Sequence, residues 1–136
     1  VDDEKATLHE MRRVLKPGGS LILCVPNKRY PLETHGVRWR GKFVPYSYWI
    51  PFLSWLPQRL HKKIAVARIY TERGLKELLT DCNLQPLKMT QMLPPLDQLP
   101  FAWLRKPLRQ MLMRADNTPL RRFGVTIVAL ARRPLT

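Results

Sequence analysis

A five-residue apolar run, Leu21 to Val25, most constrains how this chain of 136 residues can fold. The run includes β-branched side chains and follows the sequence Lys16-Pro17-Gly18-Gly19. Pro17 disfavours helix at the residue before it, and the two glycines permit a tight reversal. An apolar run with these boundaries predicts a strand that is buried on both faces, as strands are in a parallel sheet.

The segment before the glycine turn has the spacing of a helix. Leu8, Met11 and Leu15 lie at i, i+3 and i+7, so they share one face. Asp2 and Asp3 precede them and are candidate N-caps, because a carboxylate can accept from the free amides of a first turn. The sequence therefore predicts a helix that leads through a tight turn into the strand.

Further elements follow along the chain. Residues 72–82 predict a second helix with Thr71 as N-cap, residues 84–92 a weakly alternating strand, and Val125 to Ala131 a second apolar strand. Pro107 is expected in the first turn of a basic helix, and a short helix is possible near residues 55–67. This alternation predicts an α/β domain, and three readable strands suggest one side of a larger sheet.

The net charge of +14 lies in two blocks. Residues 28–73 hold ten basic and two acidic residues, and residues 101–136 hold eight basic and one acidic. The first block also holds nine of the twelve aromatic residues. This mixture suits a membrane surface, a nucleic acid or a lid over an apolar anionic ligand. A solvated basic face with its aromatic side chains in the core is an equally good interpretation.

Residues 8–23 closely resemble the class I S-adenosylmethionine-dependent methyltransferases, type 11-like. Arg13 to Gly19 reads "RVLKPGG", which in that family leads into the fifth of seven strands. Pro26 to Gly36 is similar to a "PN…YP.ETHG" motif that follows this strand in a subgroup. The resemblance implies a partial Rossmann-like fold, with strands five to seven, flanking helices and an antiparallel last strand. Asn83-Leu84 departs from the Gly-Phe pair that the family usually has before its sixth strand.

The family's glycine-rich cofactor loop has no counterpart here, because no Gly-x-Gly occurs in the chain. If the resemblance holds, residues 1–136 are the C-terminal part of a single methyltransferase domain that begins after the fourth strand. S-adenosylmethionine is then the cofactor, its main binding residues lie outside this chain, and the chain alone is expected to be inactive. The missing N-terminal half is then a partner of this chain, or the two belong to one gene product.

Residues 26–70 are the expected acceptor-side cap, because ligands bind beyond the carboxyl ends of strands in open α/β sheets. The candidate catalytic base is His35, which can instead fix the turn before Gly36. The candidate substrate-binding residues are Asn27, Tyr30, Glu33 and Trp39. Glu33 can orient His35 or pair with a nearby arginine, and Tyr30 can line the pocket or simply pack. Three scattered histidines and two distant cysteines give no metal-ligand spacing.

The sequence thus predicts the acceptor-side half of an S-adenosylmethionine-dependent methyltransferase. Its acceptor is expected to be small and apolar or aromatic, or lipid-linked. The alternative is a non-catalytic basic module that binds a membrane surface or nucleic acid, although no common nucleic-acid-binding motif is present. The longest uncharged run, Phe43 to Gln58, has 16 residues and is shorter than the roughly 20 that span a bilayer. We expect a cytoplasmic protein, or one that contacts an anionic membrane at its inner face.

Overall fold

A computed structural model describes residues 3–32, 37–44, 51–57, 60, 67–93, 102–115 and 118–135. The helices are α1 (Glu4–Val14), α2 (Glu72–Asp81) and α3 (Ala102–Ala115). The strands are β1 (Ser20–Pro26), β2 (Val37–Trp39), β3 (Lys42–Val44), β4 (Gln85–Met92) and β5 (Thr126–Arg132). Two short 3₁₀ helices span Leu53–Trp55 and Pro119–Phe123. The architecture is α/β, as the sequence predicts.

Side-chain caps begin both helices that pack on the sheet. Asp3 accepts a hydrogen bond from the amide of Ala6 at 3.0 Å, and Thr71 accepts from the amide of Gly74 at 3.1 Å. Each cap satisfies an amide that has no partner within its own helix. The predicted helix starts are therefore confirmed, with Asp3 as the N-cap of α1.

The turn between α1 and β1 is held by the end of the chain. Gly18 has a φ of 77°, which a residue with a Cβ rarely adopts. The amide of Gly18 donates to the carbonyl of Arg133 at 3.0 Å, and the Arg133 guanidinium donates to the carbonyl of Leu15 at 2.6 Å. Arg133 thereby satisfies a free carbonyl at the end of α1 and joins the turn to the last strand.

The main sheet has the order β1-β5-β4, and β5 is antiparallel to both of its neighbours. The antiparallel direction of the last strand agrees with the prediction. The register pairs Pro26 with Thr126 and Met92 with Thr126, so the ends of β1 and β4 lie on either side of the start of β5. A two-stranded hairpin, β2 with β3, was not predicted from the sequence.

The core lies on one face of this sheet. Ile127, Ala129 and Ala131 of β5 are buried there, together with Leu75 and Leu79 of α2. Alternate residues of a strand point to opposite faces, so the intervening residues of β1 and β5 lie on the other face.

The prediction that β1 is buried on both faces is wrong for the described residues. Leu21, Leu23 and Val25 pack against the core, whereas Ile22 is 66% exposed and Cys24 is exposed. The physical reason is that α1 and α2 contribute their core residues to one face of the sheet. An apolar run records the hydrophobicity of both faces but does not record which elements cover them.

A second correction concerns Pro107, which lies inside α3 and not in its first turn. The helix begins at Ala102, five residues earlier. A proline at this position cannot donate the backbone hydrogen bond of a helix interior. Most of the short helix expected near residues 55–67 lies outside the described residues. None of the described helices is long and apolar enough to cross a membrane.

The C-terminal end of the 26–70 segment is joined to α1 through Glu4. The Tyr70 hydroxyl donates to the Glu4 carboxylate at 2.6 Å, and Arg68 forms an ion pair with the same oxygen at 3.1 Å. Burial and the Glu4 hydrogen bond raise the pKa of Tyr70 to about 12. The folded state therefore favours the neutral phenol over a wider pH range than the unfolded chain does.

We predict that Tyr70→Phe lowers the free energy of unfolding at pH 8 by about 1 kcal/mol, because the Glu4 hydrogen bond is lost. The difference in the free energy of unfolding between the two proteins should shrink above a pH of about 10, where an unfolded tyrosine ionises. It should continue to shrink up to a pH of about 12, the pKa of Tyr70 in the fold. A raised pKa stabilises the fold below the unfolded pKa, and this contribution is lost as the pH approaches the folded one. Urea unfolding of both proteins at each pH measures it. A constant difference across this range would contradict the assignment.

Candidate functional site

The loop after β1 lies at the end of the sheet where β1 ends and β5 begins. The amide of Asn27 donates to the carbonyl of Val125 at 3.0 Å, which extends the β1–β5 ladder by one residue. The 3₁₀ helix Pro119–Phe123, which precedes β5, is therefore brought close to the residues that follow β1. Ligands of open α/β sheets bind beyond the carboxyl ends of strands, so this end is where we expect a site.

The predicted acceptor-side cap leaves the sheet and returns to it at one point. The amide of Tyr70 donates to the carbonyl of Pro26 at 2.9 Å, and the amide of Lys28 donates to the carbonyl of Tyr70 at 2.8 Å. Asn27 and Tyr70 form an isolated parallel bridge. Both ends of the segment are thus fixed beside the carboxyl end of β1.

Asn27 is the side chain that holds this region together. It is 4% exposed, and its Nδ2 donates to the carbonyl of Arg122 at 2.9 Å and to that of Gly124 at 2.7 Å. Its Oδ1 accepts from the amide of Arg29 at 3.0 Å. One buried amide therefore satisfies two carbonyls before β5 and one amide after β1. A buried polar side chain is stable only with such partners.

A short stretch of the cap, residues 51–57, packs on the same loop. The hydroxyl of Ser54, which is buried, donates to the carbonyl of Tyr30. The indole of Trp55 donates to the carbonyl of Arg29 at 3.3 Å. The rings of Phe52 and Trp55 are 4.8 Å apart and inclined at 59°, a tilted aromatic contact.

These contacts leave an open groove, the β1 groove, with a volume of about 560 Å³. Its apolar wall contains Trp55, Leu120 and Phe123, and Pro119 adjoins them. Leu120 is 61% exposed and Phe123 is 45% exposed, so both present apolar surface to solvent. The groove also includes Thr71, the N-cap of α2.

Three cationic side chains line the same groove, namely Lys28, Arg29 and Arg122, and none of the described acidic residues lines it. Within the described part of the chain, none of these three side chains forms an ion pair. An apolar wall beside uncompensated positive charge can bind a ligand that has both an apolar body and a negative group.

The structure brings together only some of the residues that the sequence predicts for the site. Asn27 is buried and bonded to the protein, and Tyr30 is half-buried, with burial raising the pKa of its phenol. Glu33 and His35 lie outside the described residues, and so does the side chain of Trp39, whose backbone belongs to β2. Their roles in catalysis and in substrate binding stay predictions.

The β1 groove also contains residues that sequence reasoning did not select. Arg122 and Phe123 are more than 90 positions from the loop that they meet, so no local pattern joins them. One signal was available. Because the last strand was expected to be antiparallel, the residues just before it had to lie beside the residues just after β1.

The described residues of the groove do not fit S-adenosylmethionine itself. That molecule has a cationic sulfonium and an amino group against a single carboxylate, and its ribose is commonly held by a carboxylate of the protein. Among the described residues, the groove has three cations and no carboxylate. We therefore derive no cofactor contact from these residues.

We predict that Asn27→Ala lowers the free energy of unfolding by about 3 kcal/mol, because the three hydrogen bonds of this buried side chain are lost. Lys76→Ala is the matched control, since Lys76 is exposed on α2. It should change stability by less than about 0.5 kcal/mol. Urea unfolding measures both. Equal stability of the Asn27→Ala variant and the parent chain would show that the Asn27 hydrogen bonds contribute nothing.

No protein-family model and no curated protein matches this chain. Among solved structures, the chain is similar to the crystal structure of an S-adenosylmethionine-dependent methyltransferase from Mesorhizobium loti. The identity is 14% and the TM-score is 0.51. The match covers 98% of this chain and 56% of the other, so the chain spans little more than half the length of that protein. The similarity shows a methyltransferase-like α/β fold.

Proposed function

We propose that the chain is the acceptor-side half of an S-adenosylmethionine-dependent methyltransferase that acts on a small apolar or aromatic molecule. The observation that carries the proposal is the strand order β1-β5-β4 with an antiparallel central strand. If β1, β4 and β5 are the family's strands five, six and seven, as the resemblance implies, this is the order five, seven, six. The structural similarity to a methyltransferase supports the same assignment.

The half-domain proposal is supported by β1 itself. In the described sheet, β1 is an edge strand, paired only with β5. Its Ile22 side chain is 66% exposed. A long apolar edge strand is a liability for a protein unless another strand pairs with it. A further strand of the same domain, the fourth in the family's numbering, would pair with this edge and run parallel to β1.

The reaction that we propose is an in-line displacement at the methyl carbon. S-adenosylmethionine would supply the activated methyl group and would leave as the neutral thioether. This chain would bind and orient the acceptor, because positioning supplies much of the rate gain in such a reaction. The cap is anchored at both ends beside β1, which suits that role. His35 stays the proposed base for an acceptor that carries a proton.

We predict that the 136-residue chain alone binds S-adenosylmethionine weakly or not at all, whereas the complete gene product that includes it binds at micromolar concentration. Isothermal titration calorimetry measures both. Tight binding by the 136-residue chain would contradict the half-domain proposal. Absence of binding by a folded complete product would contradict the assignment to the methyltransferases.

Contact with an anionic membrane is the second candidate function, and α3 is the element that favours it. Trp103 is 74% exposed, Met113 is 64% exposed and Met111 is 59% exposed. The helix also has four basic residues and no acidic one: Arg105, Lys106, Arg109 and Arg114. Exposed aromatic and apolar side chains among cations are typical of helices at a membrane interface. A cytoplasmic location, at the inner face of the membrane, is part of this proposal.

We predict that the chain sediments with vesicles of phosphatidylglycerol in phosphatidylcholine and does not sediment with vesicles of phosphatidylcholine alone. Trp103→Ser should reduce the bound fraction, because an interfacial aromatic side chain is lost. Arg73→Gln is the control, because Arg73 lies on α2 and pairs with Glu77. Binding that does not depend on the anionic lipid would contradict this candidate.

A further inference from the structure

The charge of the β1 groove differs from that of the rest of the described fold. The described part of the chain contains six carboxylates, all in α1, in α2 or at the N-cap of α1. Each of them forms a hydrogen bond or an ion pair. Asp3 accepts from the amide of Ala6, Glu4 binds Arg68 and Tyr70, and Glu72 accepts from Gln91. Glu10 pairs with Arg13, Glu77 with Arg73, and Asp81 with Lys5. None of the six lines the groove.

Hydrogen bonds hold the backbone of two groove cations, Arg29 and Arg122. Arg29 is held by Asn27 and by Trp55, and Arg122 is held by Asn27. These bonds involve the backbone of both arginines, so the guanidinium groups are left for a ligand. A site that is already ordered loses less entropy when a ligand binds.

We propose that the β1 groove binds an amphiphile that carries a phosphate group. The phosphate lies among Lys28, Arg29 and Arg122, because arginine binds phosphate with paired hydrogen bonds and the three cations more than offset the charge of a dianion. The apolar tail lies along Trp55, Leu120 and Phe123. As a statement about the acceptor, this proposal rests on the proposed function, but binding to the groove can be measured without methyl transfer.

The test uses octyl phosphate below its micelle concentration, with calorimetric titration of the chain. We expect octyl phosphate to bind at least about tenfold more tightly than octanol or inorganic phosphate, because each of these has one half of the recognition. Binding should weaken as salt is added, because the cations are exposed or half-buried. Equal affinity for octanol, or for inorganic phosphate, would overturn the proposal, and so would no binding of octyl phosphate.

Variants separate the two walls of the groove. Arg122→Gln keeps the backbone carbonyl that Asn27 binds, so the fold is retained while the cation is lost. It should weaken octyl phosphate about three- to tenfold. Leu120→Ser should weaken octyl phosphate about threefold and leave inorganic phosphate unchanged. Lys76→Gln is the control for net charge. A loss as large in Lys76→Gln as in Arg122→Gln would overturn the proposal.

Two further results answer separate questions. The first shows whether the phosphate comes from a lipid surface or from a single molecule, and the second shows whether groove binding depends on the proposed function. Binding to vesicles of phosphatidic acid in phosphatidylcholine, without binding of monomeric octyl phosphate, would overturn the groove as the site. Binding of octyl phosphate by a complete product that binds no S-adenosylmethionine would support the groove and remove the methyltransferase assignment.

Discussion

The pairing of β5 with strands on both sides is the constraint on which the rest of the structure depends. Its antiparallel direction puts its start beside the end of β1, so residues that are about a hundred positions apart become neighbours. Ile127, Ala129 and Ala131 of β5 are also buried against the helices. The strand thus sets both the core and the place of the β1 groove. Loss of its register would remove the groove together with the sheet.

Asn27 transmits this constraint to the surface. An amide side chain can donate two hydrogen bonds and accept others. Asn27 donates two to the residues before β5 and accepts one from Arg29 within its own loop. An apolar residue of the same size could fill the space but would leave two carbonyls and an amide unsatisfied. The position of the groove arginines is therefore coupled to the stability of the fold through one buried side chain.

The sequence predicts the elements whose signals are local. Asp3 and Thr71 begin helices because a side-chain oxygen next to an apolar periodicity is enough to cap a first turn. Arg40-Gly41 was also a usable signal for the β2–β3 hairpin, since both residues have positive φ and a turn with glycine there is typical of hairpins. The exposure of Ile22 was not predictable in this way, because it depends on which elements cover the second face. The groove was beyond local reasoning because Arg122 joins Lys28 only through the register of the sheet.

The net charge of +14 now divides between two kinds of surface. The carboxylates of the described fold stabilise α1 and α2 through caps and ion pairs, and most of these pairs are exposed and individually weak. The groove cations have no such compensation among the described residues. Charge repulsion among them opposes folding slightly, and an anion that binds there relieves it. Positive charge that is concentrated at the ligand-binding end of a sheet, beside apolar walls, favours a single amphiphilic ligand. An extended polyanion would need the protein's cations to be spread along an open face.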